Sequence, residues 1–160
     1  MSWCVLSSLS FITNCIAAYL YGEYIYSLLW GSLCVSSVLT HGLRWYTNVH
    51  TISFDETYNN PNITHRLLFW AFMVDKLVLY LVVITGWCLI YKKIDGLKQT
   101  MYEVMCGICI VVTFCLTLFL YFYGYVSNMY SFDPALDVAN KWHCMVHWIG
   151  SFGHHCILLL

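Results

Sequence analysis

Charge is scarce in this sequence: 160 residues carry seven basic and eight acidic side chains, 9% of the chain. A soluble domain carries about 25% charged and about 45–50% apolar residues. Here 61% of the residues are hydrophobic and the mean hydropathy is +0.69. A fold this small keeps a large surface for its volume, and so few charges do not cover it. A water-soluble globule is excluded. A net charge of −1 leaves no basic patch for phosphates, which excludes nucleic-acid partners of the usual kind. Internal repeats, low-complexity tracts and linkers are also missing, so a single helical domain over 1–160 is expected. No long loop holds a cysteine pair. All nine cysteines fall in apolar segments, which argues against a disulfide framework and for small buried packing groups. Cys106 and Cys109 have CxxC spacing but sit in an apolar helix without a second pair. No basic n-region precedes the first apolar segment, so no cleaved signal peptide is expected. Aromatic residues, by contrast, make up 18% of the chain. They exclude disorder and cluster at segment ends as an interfacial belt does.

The reading is an all-α integral membrane protein, a bundle of about five transmembrane helices. A span needs about 20 mostly apolar residues, and five segments qualify: about 2–21, 24–42, 66–91, 102–125 and 142–160. Gly22 and Glu23 make a tight turn. A polar loop over 46–65 holds Asp55, Glu56, Asn59, Asn60 and Pro61, and Lys92, Lys93, Asp95, Gly96 and Lys98 form a short basic turn. The fifth segment is the least apolar, because it contains His143, His147, His154 and His155. Five spans place the termini on opposite faces. The basic cluster at 92–98 and the Asn62-Ile63-Thr64 sequon put the N-terminus on the non-cytoplasmic side of a multi-pass protein. Membrane lipid, as substrate or boundary, and other integral membrane proteins are the expected partners.

Ionisable groups inside spans are expensive, so each is a functional candidate. His41 lies near the end of the second span, Asp75 about two turns into the third, and His143 and His147 open the fifth. Alternating direction brings these four groups to roughly one depth. His143 and His147, at i and i+4, share one helical face. Two imidazoles so placed bind one metal, and a His from another helix completes a three-nitrogen set. Zinc held in this way keeps a fourth position for water, whose pKa falls towards about 7. Ser37 precedes His41 by four residues and projects from the same face. Asp75 supplies a carboxylate to hold the water, take its proton or orient a ligand histidine.

Ser37-Val-Leu-Thr-His41, the intramembrane Asp75 and His143-Cys-Met-Val-His147 resemble the CREST superfamily of membrane hydrolases, which includes the alkaline ceramidases and adiponectin-receptor-like proteins. The resemblance implies a zinc ion bound by His41, His143 and His147, with Asp75 and Ser37 beside its water. It also implies hydrolysis of an amide or ester bond in a lipid. The match is five residues spread over 37–147. The family has seven spans where this chain has room for five. Loss of two helices between Asp75 and His143 preserves the parity that brings the fifth span in from the same face.

Other readings of the same residues stand beside this one. Asp75 and Lys76 suit a local charge pair, with Lys76 reaching to the headgroups. Ser37 suits a close helix contact, and Asp55 and Glu56 compete for the acidic role. His154 falls on nearly the stripe of His147 but about 10 Å along the helix, too far to share one metal. It suits a second site, a haem, or a buried hydrogen-bonded histidine. Gly150 and Gly153 beside it allow close approach of a flat ligand or a helix. A haem protein carrying electrons and a non-catalytic structural or assembly subunit are therefore the alternative functions. Three imidazoles that do not converge would decide for the latter.

Overall fold

The computed structural model describes residues 3–51, 61–94 and 100–160. Every regular element among them is helical: α1 (Trp3–Ser8), α2 (Phe11–Leu20), α3 (Tyr24–Thr51), α4 (Pro61–Ile94), α5 (Met101–Ser127), a 3₁₀ turn (Tyr130–Phe132) and α6 (Leu136–Leu159). α1 and α2 form one broken rod, so the chain is an all-α assembly of five rods. Asp55, Glu56, Asp95, Gly96 and Lys98 lie outside the described residues, as do the side chains of the Asn62 sequon.

The break in the first rod has a local cause. Ser7 and Ser8 hydroxyls donate to the Cys4 carbonyl at 3.0 and 2.8 Å, Ser10 to Ser7 O at 2.6 Å, and Thr13 to Ser10 O at 2.7 Å. Side-chain bonds of this kind compete with the helical ladder and bend it. The backbone responds with tighter i→i−3 bonds from Leu9 to Leu6 and from Ser10 to Ser7. Two small polar residues are thereby turned into the bundle.

The other boundaries follow ordinary rules. Gly22 adopts φ +78°, the left-handed conformation that glycine takes without penalty, and reverses the chain into α3. No breaker follows Gly42, and α3 stays helical to Thr51. Pro61 opens α4, where a missing N–H costs nothing, so 61–65 is helical too. Thr100 and Glu103 cap α5 reciprocally, and Asn128 ends it in a left-handed cap.

Three stretches are long and apolar enough to cross a membrane: Trp3–Leu20, Arg66–Ile94 and Met101–Phe132. They suggest a multi-pass membrane protein. α3 and α6 are long as well, but Ser27, Ser32, Ser36, Ser37, Thr40 and His41 on one and four histidines on the other lower their hydropathy. The second of these stretches shows the complementary pattern: α4 is apolar all round, and only 6% of its most apolar window is buried. A helix with that surface suits contact with lipid, while the polar faces of α3 and α6 turn inward.

Neighbouring rods pack in the order α4, α3, α1–α2, α6, α5. α3 and α6 meet across side chains at two levels. At one, Trp30, Tyr26 and Phe11 pack with Ile157, Leu158 and Val82 in the apolar core. His154 joins them there, against Trp30 and Phe114 and hydrogen-bonded through Nδ1 to the Tyr26 hydroxyl. Gly86 of α4 permits this, since a Cβ there would lie 3.0 Å from the Tyr26 hydroxyl and 3.3 Å from the His154 ring. Near the same end, Lys93 donates to the Ile157 and Leu158 carbonyls at 3.1 and 2.7 Å, satisfying the last turn of α6. The other level, nearer the start of α6, holds the remaining histidines.

Candidate metal centre

His41 reaches this level from α3, and His143 and His147 from successive turns of α6. Ring centroids are 4.9 Å apart for His41 and His143, 5.4 Å for His41 and His147, and 4.6 Å for His143 and His147. One nitrogen from each lies within 4.8 Å of the other two, a spacing from which three imidazoles can hold one ion. None of the three is solvent-exposed. The convergence expected from an i, i+4 pair and one cross-helix histidine is present.

The hydrogen bonding around the rings decides which atoms are available. His41 Nε2 is buried and has no hydrogen-bond partner, an arrangement that costs about 1–3 kcal/mol unless something fills the valence. His147 Nδ1 lies 3.0 Å from Ser7 Oγ. The Ser7 proton is already committed to the Cys4 carbonyl. Its oxygen is therefore the acceptor, Nδ1 carries the hydrogen, and Nε2 of His147 is left as a lone-pair donor. Metal-ligating histidines commonly have their second nitrogen held in this way, which fixes tautomer and ring angle. Phe11 packs against the same ring at 4.9 Å. The donor set thus suits zinc, which takes neutral imidazole nitrogens.

The expected acidic and hydroxyl partners fall as follows. Ser37 is buried, and its hydroxyl pairs with Ser8 Oγ at 2.9 Å, which places it on the α1 side of α3, on the stripe of His41. Asp75 accepts a hydrogen bond at 2.8 Å from Ser36 rather than Ser37. Ser36 and His41 point about 140° apart around the helix, Ser37 and His41 only about 40°. The carboxylate accordingly stands on the α3–α4 side and is not one of the close three-His group. Lys76 lies over the Phe72 ring at 4.4 Å, a cation–π contact. The sequence reading missed Ser7, Ser8 and Ser36. Ser7 and Ser8 carried a signal: a run of hydroxyls inside an otherwise apolar first span.

Beside Ser36 runs a groove of about 1170 Å³ between α2, α3 and α4, with Leu28, Leu39, Trp70 and Val74 in its walls. It extends from Tyr24 to Leu43 along α3, about 28 Å at the helical rise.

His154 and His155 stand apart. His154 is only 3% exposed and the space around its ring is taken by Tyr26, Trp30 and Phe114, which leaves no face for a macrocycle. His155 bonds Thr13 at 3.0 Å. Gly153 backs onto Thr113 of α5, whereas a Cβ on Gly150 would meet nothing within 4 Å. The close approach at Gly153 is helix to helix. No protein-family model, curated protein or solved structure matches the chain.

Proposed function

We propose that this chain is a zinc-dependent membrane hydrolase that cleaves an amide or ester bond of a lipid, as its resemblance to the CREST superfamily implies. The observation that carries the reading is the buried, unpartnered Nε2 of His41 on a ring that joins two further imidazoles, one nitrogen of each within 4.8 Å of the others. Three neutral histidines in a membrane bundle are costly as bystanders and well suited as ligands. Bound there, zinc supplies a Lewis acid and an acidified water for attack on a carbonyl.

The chain's own residues take the remaining roles. Ser7 holds the His147 ring at its fixed angle. The groove between α3 and α4 takes the acyl chain, because its walls are apolar and its length suits a lipid tail. Asp75, held by the groove-lining Ser36, is the acid–base group that the resemblance implies. Ser37 lines the His41 stripe and supports α3 against α1. Imidazoles that stayed apart would have favoured the assembly-subunit reading; these converge, which supports a metal site.

Elemental analysis of detergent-purified protein is expected to give about one zinc per chain, lost in His143→Ala. A folded sample without zinc refutes the reading. With zinc present, Asp75→Asn is expected to keep the metal and abolish release of fatty acid from a lipid panel. Equal turnover by that variant removes Asp75 from the chemistry.

A further inference from the structure

Cys4 of α1 and Cys144 of α6 bring their sulfurs to 3.8 Å, and both are buried. Disulfide formation requires about 2.05 Å between sulfurs, so a closure of about 1.8 Å joins the two helices. The surrounding hydrogen bonds are already arranged for it. The Cys144 thiol donates to Cys4 Sγ, so a lone pair of Cys4 faces the Cys144 sulfur. The Cys4 thiol points the other way, towards the carbonyl and side-chain oxygens of Asn140 at 3.5 and 3.6 Å.

Cys144 borders a pocket on one side of the pair. A pocket of about 270 Å³ is lined by Trp3, Lys141, Cys144, Met145 and Trp148. Cys144 is the one thiol in that lining. Lys141 is exposed, and its ammonium marks the water-facing mouth. A small hydrophilic oxidant entering there meets Cys144 first, with Cys4 behind it.

We propose that Cys144 and Cys4 form a redox-modification site for a small hydroperoxide, Cys144 being the oxidised cysteine and Cys4 the resolving one. With hydrogen peroxide, the Cys144 sulfur attacks one peroxide oxygen and the O–O bond breaks. This yields a sulfenic acid and one water. Cys4 Sγ then attacks the sulfenic sulfur. The S–O bond breaks, the hydroxyl leaves with the Cys4 proton as a second water, and the S–S bond forms. Two thiols lose two electrons and one peroxide gains them. The bridge ties α1 to α6 at the residue whose carbonyl anchors both Ser7 and Ser8, next to His147. The site stands whether or not the three histidines hold zinc.

The test treats the full chain in detergent with graded hydrogen peroxide. Remaining thiols are then blocked with an alkylating reagent, and peptides are mapped without reduction. Cys88 and Cys115, both exposed, serve as internal references. The expected result is a peptide joining Cys4 to Cys144, two hydrogens lighter than its parts, formed at or below the peroxide dose that oxidises Cys88 and removed by a thiol reductant. In Cys4→Ser the same dose is expected to leave a sulfenic acid at Cys144 that a dimedone probe captures. The proposal is overturned if the wild-type chain oxidises Cys88 and Cys115 while Cys144 stays a thiol. It is equally overturned if Cys144 oxidises without bridging to Cys4. The wild-type arm needs no substitution, so a poorly folded variant does not decide the outcome.

Discussion

Ser7→Ala removes one hydroxyl and tests whether the triad is a metal site with a built support. In the native chain that oxygen bridges two groups, the Cys4 carbonyl and His147 Nδ1, each at 3.0 Å. Loss of the first bond relaxes the α1–α2 break and costs about 0.5–1.5 kcal/mol of stability. Loss of the second frees the His147 ring to rotate and leaves its Nδ1–H without an acceptor. Removing such a support commonly lowers metal affinity about 10–100-fold, or about 1.4–2.7 kcal/mol. Ser10→Ala is the matched control, since the Ser10 hydroxyl bonds only the Ser7 carbonyl among the contacts described and shares the break without touching a ring. The assay is zinc competition against a chromophoric chelator in detergent, with cobalt substitution to report the ligand field. The reasoning fails if folded Ser7→Ala binds zinc within about 3-fold of the parent, well short of the 10-fold lower bound. It fails as well if Ser10→Ala weakens binding equally.

Two further outcomes are expected. Zinc occupancy should fall on acidification, because an imidazolium has no lone pair to offer and protons compete with the metal; the loss is read by equilibrium dialysis at fixed free zinc. Gly86→Ala should destabilise the bundle by about 1–3 kcal/mol, read as a lower unfolding midpoint in detergent. Its Cβ would press on the Tyr26 hydroxyl and the His154 ring, each distant from the triad along its own helix, so zinc stoichiometry is expected to stay at the parent value.

The scarcity of charge and the length of the apolar runs were enough to point to an all-α protein with helices long and apolar enough to cross a membrane, because a bilayer constrains composition directly. The i, i+4 spacing of His143 and His147 was legible for a similar reason: helix periodicity is local. Depth also followed from counting residues along alternating rods, which placed His41 beside them. Rotation about a helix axis was another matter. Ser36 and Ser37 are neighbours in sequence, and nothing local distinguishes which one meets Asp75. Packing of α4 against one side of α3 and α1 against another settles it, giving Asp75 to Ser36 and Ser8 to Ser37. The same holds for Ser7 on His147 and for Cys4 on Cys144, pairs separated by 140 residues.

His154 shows the limit from the other side. Its stripe and depth were readable, but its partner was not, since Tyr26 lies 128 positions away. Composition and period place a polar group in the membrane and on a face of its own helix. Which neighbour satisfies it depends on how the helices turn towards one another. That choice is made by the summed packing of every rod, and no single segment encodes it. The scarce charge of this chain therefore announced the solvent and the depth of the site, while the fold alone assigned its hydrogen bonds.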